Sequence, residues 1–309
     1  MSDVLTTLGR QATDVFTPRP GDLVGRLTIM HSGEADAIWA DESQCEVSGR
    51  LRLARTLGVT PVAGDWVAVK GERVTTVFPR RNELRRTQTH GRPAQVLAAN
   101  VDVVFVVVPL RSELHHRMIE GLTTMARDAN ATPVVVITKV DEEGDSSDVA
   151  SLRSHVDDLV GPIAIVECSS VTGDGVDEIR SLLGPGVTGV LLGASGAGKT
   201  SLLNALGGHH ELTRTLSRTG EGRHATTTRK LYRLSSGGVL LDIPGIRFSR
   251  AVVDANRAEP DFSDLDELAL SCRFTNCGHG TDLGCAIAAA VAAGTESETR
   301  VALWRSYRT

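Results

Sequence analysis

Residues 193–200 read Gly-Ala-Ser-Gly-Ala-Gly-Lys-Thr, a spacing suited to holding a polyphosphate. Gly193, Gly196 and Gly198 let the backbone wrap tightly, so that its N–H groups can point at phosphate oxygens. Lys199 supplies a mobile positive charge for the β- and γ-phosphates, and Thr200 a hydroxyl for Mg²⁺. The apolar run before the loop and the amphipathic SLLNAL after it read as strand and helix, whose N-terminal dipole also favours anions. The expected nucleotide-binding run is Gly193, Ala194, Ser195, Gly196, Ala197, Gly198, Lys199, Thr200 and Ser201.

Upstream, Thr138-Lys139-Val140-Asp141 follows an apolar strand, so it sits at the strand's C-terminal edge, where open α/β sheets bind ligands. The Asp141 carboxylate can accept from both N1–H and the N2 amino group of guanine. Adenine offers neither donor, so that carboxylate discriminates against it. The Lys139 stem can pack along the base. Asn is commoner than Thr138 at the first position. Cys168-Ser169-Ser170 follows the next strand, where backbone amides could approach guanine O6. In an ordinary GTPase the phosphate loop precedes the guanine reader. Here the order is reversed, and the chain reads as a circularly permuted GTPase.

Asp242-Ile243-Pro244-Gly245 ends a further strand. Asp242 can hold Mg²⁺ through water, and the Gly245 N–H can meet the γ-phosphate. Ile246 stands where many GTPases carry a water-orienting Gln, so intrinsic hydrolysis should be slow or need help. Residues 208–228 have no apolar period and should be mobile. They include His224, which could orient water or contact a partner, and Thr226 and Thr227, either of which could close on Mg²⁺. The expected catalytic set is His224, Thr226, Asp242 and Gly245. The expected magnesium set is Thr200, Thr226 and Asp242.

Cys272, Cys277, His279 and Cys285 place three thiols and one imidazole in one short segment. Soft sulfur plus nitrogen in a closed set of four suits one structural, tetrahedral Zn²⁺. Such a site would staple a segment with little core of its own.

Several layers must position these groups. Residues 1–21 read as a polar, flexible N-terminus. Short β-like runs at Leu23–Ile29, Cys45–Leu53, Asp65–Lys70 and Arg73–Phe78 lie too close together for helical crossovers, which suggests an OB-type barrel over 22–87. Residues 88–98 read as a linker. Over 99–258 continuous apolar runs alternate with helical stretches, implying a mainly parallel sheet covered on both faces. Strands are expected at Val101–Pro109, Pro133–Thr138, Ile163–Cys168, Val187–Gly193 and Val239–Asp242, with helices near 113–129, 146–160 and 174–183 and from Lys199. Residues 259–309 read as a helical zinc-binding domain. The fold class is therefore multidomain α/β.

Composition narrows the function classes. The 309 residues are 41% hydrophobic but only 4% aromatic, so the cores rest on aliphatic side chains and a base-stacking RNA platform is poorly supplied. A net charge of −5 argues against a wholesale nucleic-acid coat, although Arg80, Arg81, Arg85 and Arg86 form a local basic cluster that could be an interaction patch or a solvated face. Five cysteines, three of them crowded into 272–285, are not a secreted disulfide framework. No apolar run is long enough to span a membrane, and the first residues lack signal-peptide character. A cytoplasmic monomer without membrane contact is expected.

Together these residues resemble the small-ribosomal-subunit-dependent, circularly permuted GTPases of the RsgA/YjeQ family. The resemblance runs from about Gly25 to the C-terminus. Its carriers are GDWV at 64–67, QVLAANVD at 95–102, GASGAGKTSL, GRHATTT, DIPGIR at 242–247 and CRFTNCGHGTDLGC at 272–285. It implies an OB barrel, a permuted GTPase domain and a zinc domain. It further implies GTP and GDP as ligands, hydrolysis stimulated by the small (30S) ribosomal subunit, contact with its rRNA, and a role in late maturation. The family's catalytic His maps to His224. Ala225 departs from the usual Thr there, which makes Thr226 the better Mg²⁺ candidate. The sequence stops soon after Trp304-Arg305-Ser306-Tyr307, so a longer helical tail is not expected. A rival reading is an rRNA-binding module whose GTP site is a regulatory sensor with little turnover. Another is an ATP-dependent enzyme with the same loop, against which Asp141 argues.

Overall fold

The computed structural model describes residues 4–55, 57–86, 94–110, 116–142, 146–207, 230–243, 262–274, 277–280 and 282–308. His224, Thr226, Thr227 and Gly245 lie outside them.

Five strands close a barrel in the order β1-β2-β3-β5-β4: β1 (Leu23–Met30), β2 (Glu34–Ala40), β3 (Glu46–Leu53), β4 (Trp66–Lys70) and β5 (Arg73–Val77). β3 and β5 pair in parallel and every other pair is antiparallel, as expected for an OB-type barrel. Closure satisfies the edges that open sheets leave unpaired. Strand β2 is absent from the sequence expectation. Its EADAIWA run is rich in alanine and acid, both poor strand formers, and Asp36 is tolerated because Arg50 and His31 bind its carboxylate at 2.9 and 3.1 Å.

The expectation of a flexible start is corrected for the described residues. Helix α1 (Val4–Thr7) and the following turn pack on the barrel, where Leu5 and Leu8 are buried and the Phe16 ring lies 5.1 Å from Trp66 and 5.2 Å from Phe78. Single apolar residues spaced through a polar tract gave no periodic signal for this docking. The linker expectation also changes. Strands β6 (Glu83–Arg86) and β7 (Gln95–Ala99) form an antiparallel ribbon, and Leu84, Leu97 and Ala98 enter a core cluster.

Six strands form the second sheet, in the order β10-β9-β8-β11-β13-β12: β8 (Val103–Pro109), β9 (Thr132–Thr138), β10 (Ala164–Cys168), β11 (Thr188–Gly193), β12 (Lys230–Arg233) and β13 (Val239–Asp242). All pairs are parallel except β12 with β13. Val104 to Val108 are almost wholly buried on alternating faces, each contributing about 1.5–3 kcal/mol by leaving water. Helices α2 (His116–Asp128) and α3 (Ser146–Val160) cover one face, together with the β6–β7 ribbon. On α2, Ile119, Leu122, Met125 and Ala126 recur at helical spacing to make its buried stripe. Helices α4 (Val176–Ser181) and α5 (Lys199–Ala205) cover the other face. From β8 the chain builds outward through β9 and β10, then returns to place β11 on the other side of β8. This reversal creates the crevice at the strands' C-terminal ends where open α/β sheets bind ligands.

Three helices end the chain: α6 (Ser263–Leu270), α7 (Ala286–Ala292) and α8 (Glu298–Arg308). Their small core gathers Phe262, Leu265, Ile287, Val301 and Trp304 around Cys285.

Candidate nucleotide and metal sites

The phosphate loop follows from how β11 ends. Gly193 pairs with Val107 of β8, and a Cβ at Gly193 would lie 2.4 Å from the Val107 carbonyl oxygen, so only glycine fits there. The chain then turns through Ala194–Gly198 into α5, closed by an Ala197 N–H bond to the Ala194 carbonyl at 3.3 Å. Lys199 leads the helix, and its Nζ donates to the Gly193 and Ala194 carbonyls at 2.9 and 2.6 Å. Burial lowers the Lys199 pKa, and the nearby Asp242 carboxylate partly offsets this. Lys199 and Asp242 therefore share one electrostatic environment, as their places on adjacent elements require: Asp242 pairs with Leu191 across β13 and β11.

The candidate base-reading segment meets this loop directly. Thr138 is buried at the end of β9, and its hydroxyl donates to the Ala197 carbonyl at 2.7 Å. The departure from Asn at this position thus keeps a hydrogen-bonding group that ties the two segments together. Lys139 adopts a left-handed backbone (φ 63°), uncommon for a non-glycine residue, and its amine pairs with Glu142 at 3.2 Å. Val140 packs against the core, and Asp141 is exposed.

β10 ends in register with β9, Cys168 opposite Thr138. Burial pushes the Cys168 thiol up to about 11, and the Asp141 and Asp174 carboxylates push the same way. The Ser169 hydroxyl accepts from the Val171 and Thr172 amides, both at 3.1 Å, while its own N–H donates to the Asp174 carbonyl at 3.0 Å. The Ser169 amide is thus committed to its own turn. No bond from the Ser170 amide is found among the described residues.

Sequence reasoning missed the support behind the site. Arg26 of β1 is fully buried and donates to the Gly64 carbonyl at 3.1 Å, the Asn100 carbonyl at 3.3 Å, the Thr188 hydroxyl at 3.0 Å and the Leu8 carbonyl. It stacks on Trp66 at 5.1 Å, and desolvation lowers its pKa to about 10. Beside it, Arg81 binds Asp14 and Asp102, each at 2.7 Å, and Asp102 accepts the Thr188 N–H at 2.8 Å. Arg80 binds Asp65 at 2.7 Å and Glu83 at 2.9 Å. Gly64 sits so close to the Ala99 carbonyl that a Cβ would approach within 2.4 Å. The GDWV and QVLAANVD segments therefore meet to join the barrel to the first residue of β11. The basic cluster at 80–86 resolves into this junction: Arg80, Arg81 and Arg85 are ion-paired and Arg86 donates to Gln95 at 2.8 Å. The GDWV and QVLAANVD segments were legible as motifs, but their meeting was not.

In the C-terminal helices, the ligand atoms of Cys272, Cys277, His279 and Cys285 lie within 4.8 Å of one another. The Cys272 Sγ is 3.4 Å from the His279 Nδ1 and 4.0 Å from the Cys285 Sγ. Tetrahedral zinc with sulfur at about 2.3 Å needs sulfur atoms about 3.8 Å apart, so the set fits the ion. Amides of Ala286 and Ala288 lie 3.4 Å from the Cys272 and Cys285 sulfurs, and the His279 amide 3.4 Å from the Cys277 sulfur. These donors favour thiolates. His279 packs edge-on against Trp304 at 4.9 Å, and the Trp304 indole N–H donates to Asp266 at 2.7 Å. The four residues could hold a metal ion.

A sequence profile of the family described as RsgA GTPase matches residues 77–251. Among curated proteins, the small ribosomal subunit biogenesis GTPase RsgA of Streptomyces coelicolor is 38% identical over 308 residues, covering 94% of this chain and 82% of the relative. RsgA 2 of Lactiplantibacillus plantarum, under the same description, is 32% identical over 296 residues, covering 93% and 82%. The crystal structure of YjeQ from Thermotoga maritima superposes with a TM-score of 0.56 at 25% identity, covering 91% of this chain and 95% of that one. YloQ, titled a circularly permuted GTPase, shares the fold at a TM-score of 0.53 and 22% identity, covering 96% of each chain. Profile, full-length relatives and shared architecture agree with the order of the motifs: the chain belongs to the RsgA GTPase family.

Proposed function

We propose that this chain hydrolyses GTP during late maturation of the small ribosomal subunit, with turnover stimulated by that subunit. The observation that supports a single-nucleotide site is the 2.7 Å bond from the Thr138 hydroxyl to the Ala197 carbonyl, which ties the proposed base reader to the proposed phosphate loop. The loop amides over Ala194–Gly198 cradle phosphates. Lys199 leaves its carbonyl partners to neutralise the β- and γ-phosphates, a movement that also regains solvation-like contacts for a half-buried amine. Asp141 accepts from guanine N1–H and N2, and the Ser170 amide, not that of Ser169, meets O6. Thr200 and Asp242 would hold Mg²⁺, which when bound neutralises charge developing on the transferring phosphoryl group. His224, Thr226 and Gly245 complete the proposed catalytic set. Cys272, Cys277, His279 and Cys285 would hold one structural zinc.

The subunit's role is supported by the relatives' descriptions as biogenesis GTPases. GTP, GDP and small-subunit rRNA are the proposed partners, with the protein acting as a cytoplasmic monomer. No helix among the described residues is long and apolar enough to cross a membrane. Steady-state hydrolysis of GTP and ATP, with and without purified small subunits, tests the proposal. GTP turnover rising at least tenfold with subunits supports it; a rate indifferent to subunits, or equal for ATP, contradicts it.

A further inference from the structure

Thr138 holds one side-chain donor where an asparagine would hold two, and that donor is already engaged. The residue is buried, and its hydroxyl donates to the Ala197 carbonyl at 2.7 Å. The Val108 carbonyl, 3.5 Å away, offers the same hydroxyl a second acceptor and no donor. A hydroxyl carries a single proton and two lone pairs, so towards any further group Thr138 can only accept. The neighbouring donors are engaged as well. The Lys139 amine pairs with Glu142 at 3.2 Å. Cys168 and Ser169 are fully buried, and the Ser169 amide donates to the Asp174 carbonyl at 3.0 Å. The Ser169 hydroxyl accepts from the Val171 and Thr172 amides. The Ser170 amide, by contrast, makes no bond among the described residues. Guanine presents two acceptors side by side, O6 and N7. One amide serves one of them.

We propose that Thr138 leaves N7 of the base unread, so that the site takes guanine nucleotides lacking an acceptor at that position as readily as GTP. The inference rests on the reading above that Asp141 and the Ser170 amide address guanine, and it names what the pocket ignores. Discrimination falls on three groups of the base: N1–H and N2 at Asp141, and O6 at the Ser170 amide. N7 stays hydrated in the bound nucleotide as in the free one, so removing it changes both states alike. An asparagine at position 138 would bring two N–H donors, one for the Ala197 carbonyl and one for the base. Threonine keeps the tie to the phosphate loop, at 2.7 Å, and gives up the contact to the base.

The test is equilibrium binding of the full-length protein to GTP, to ATP and to 7-deaza-GTP, in which a C–H group replaces N7. Wild type is compared with Thr138→Asn, whose melting temperature shows whether it folds. A neutral hydrogen bond is worth about 2- to 12-fold in affinity. Wild type should therefore bind 7-deaza-GTP within about twofold of GTP, and both more tightly than ATP. Thr138→Asn should favour GTP over 7-deaza-GTP by about 2- to 12-fold, through the donor it adds. A wild type that binds GTP but loses about twofold or more with 7-deaza-GTP has a donor on N7, which overturns this inference alone. A folded Thr138→Asn that treats the two nucleotides alike does the same, because position 138 then does not face the base. If Thr138→Asn does not fold, the wild-type comparison decides by itself. A wild type that binds ATP as tightly as GTP, or binds neither, overturns this inference together with the base-reading site on which it rests.

Discussion

The two ends of strand β11 are built in opposite ways. At its start, Thr188 is buried, with its hydroxyl accepting from Arg26 and its N–H donating to Asp102. The surrounding charges are paired: Arg81 with Asp14 and Asp102, Arg80 with Asp65. At its end, five residues on, Gly193 opens a loop whose Lys199 rests on two backbone carbonyls and whose neighbour Asp141 is exposed. One end spends its polar groups on the fold, and the other keeps them available for a ligand. The contrast teaches that this sheet anchors the strand behind the proposed phosphate loop, while the groups proposed to meet substrate are bound only to backbone or exposed.

Substitutions can break each end separately. At the open end, Lys199→Ala should lower GTP turnover by about 100-fold or more, because a charge that stabilises the transferring phosphoryl is lost, with little change in melting temperature. At the anchored end, Arg81→Leu should leave Asp14 and Asp102 without their cation and cost about 3 kcal/mol, read by denaturant unfolding. Turnover of the remaining folded protein should change far less than in Lys199→Ala. Equal losses of turnover in both variants would erase the distinction. Gly193→Ala sits where the two ends' logic meets. Its Cβ would strike the Val107 carbonyl, so a cost of about 1–3 kcal/mol is expected together with weaker GTP binding.

The smallest effect belongs to a pair outside both ends. Arg300 binds Asp264 at 2.7 Å in the C-terminal helices, and this hydrogen bond chiefly holds the Asp264 carboxyl below its ordinary value. A lowered folded value means the contribution is present above the ordinary aspartate range and is lost as pH falls through the lowered one. Both side chains are largely solvated, so Asp264→Asn should cost less than about 1 kcal/mol at neutral pH. The difference from wild type should vanish in acid, as measured by unfolding across a pH series.

The open end was the legible one. Its residues are contiguous, and continuous apolar runs announced the buried strands that carry them: helix α3 and strand β13 occur at the expected positions, and β8 to β11 within two residues of them. The anchored end was not legible, because its bonds join residues far apart in sequence. Arg26 and Thr188 are 162 positions apart, and neither is a motif residue of the phosphate loop. Strand β2 escaped notice because Asp36 contradicts strand propensity until Arg50 is placed beside it. The run of arginines at 80–86 read equally as an interaction patch or a solvated face, and it is neither: its acids come from residues 14, 65, 83 and 102. Local pattern points to groups proposed to touch a ligand; long-range charge pairing, which holds the scaffold, leaves little local pattern.

The central claim is that Lys199 and Asp141 address one guanine nucleotide from two separated segments. Equilibrium binding of GTP and xanthosine triphosphate to wild-type and Asp141→Asn protein tests it most directly. Asp141→Asn should weaken GTP by about 10- to 100-fold and favour the xanthine nucleotide, which offers an oxygen where guanine carries its N2 amino group. Adding Lys199→Ala to either protein should weaken both nucleotides alike. Unaltered GTP preference in Asp141→Asn would show that the base is read elsewhere and would contradict the account.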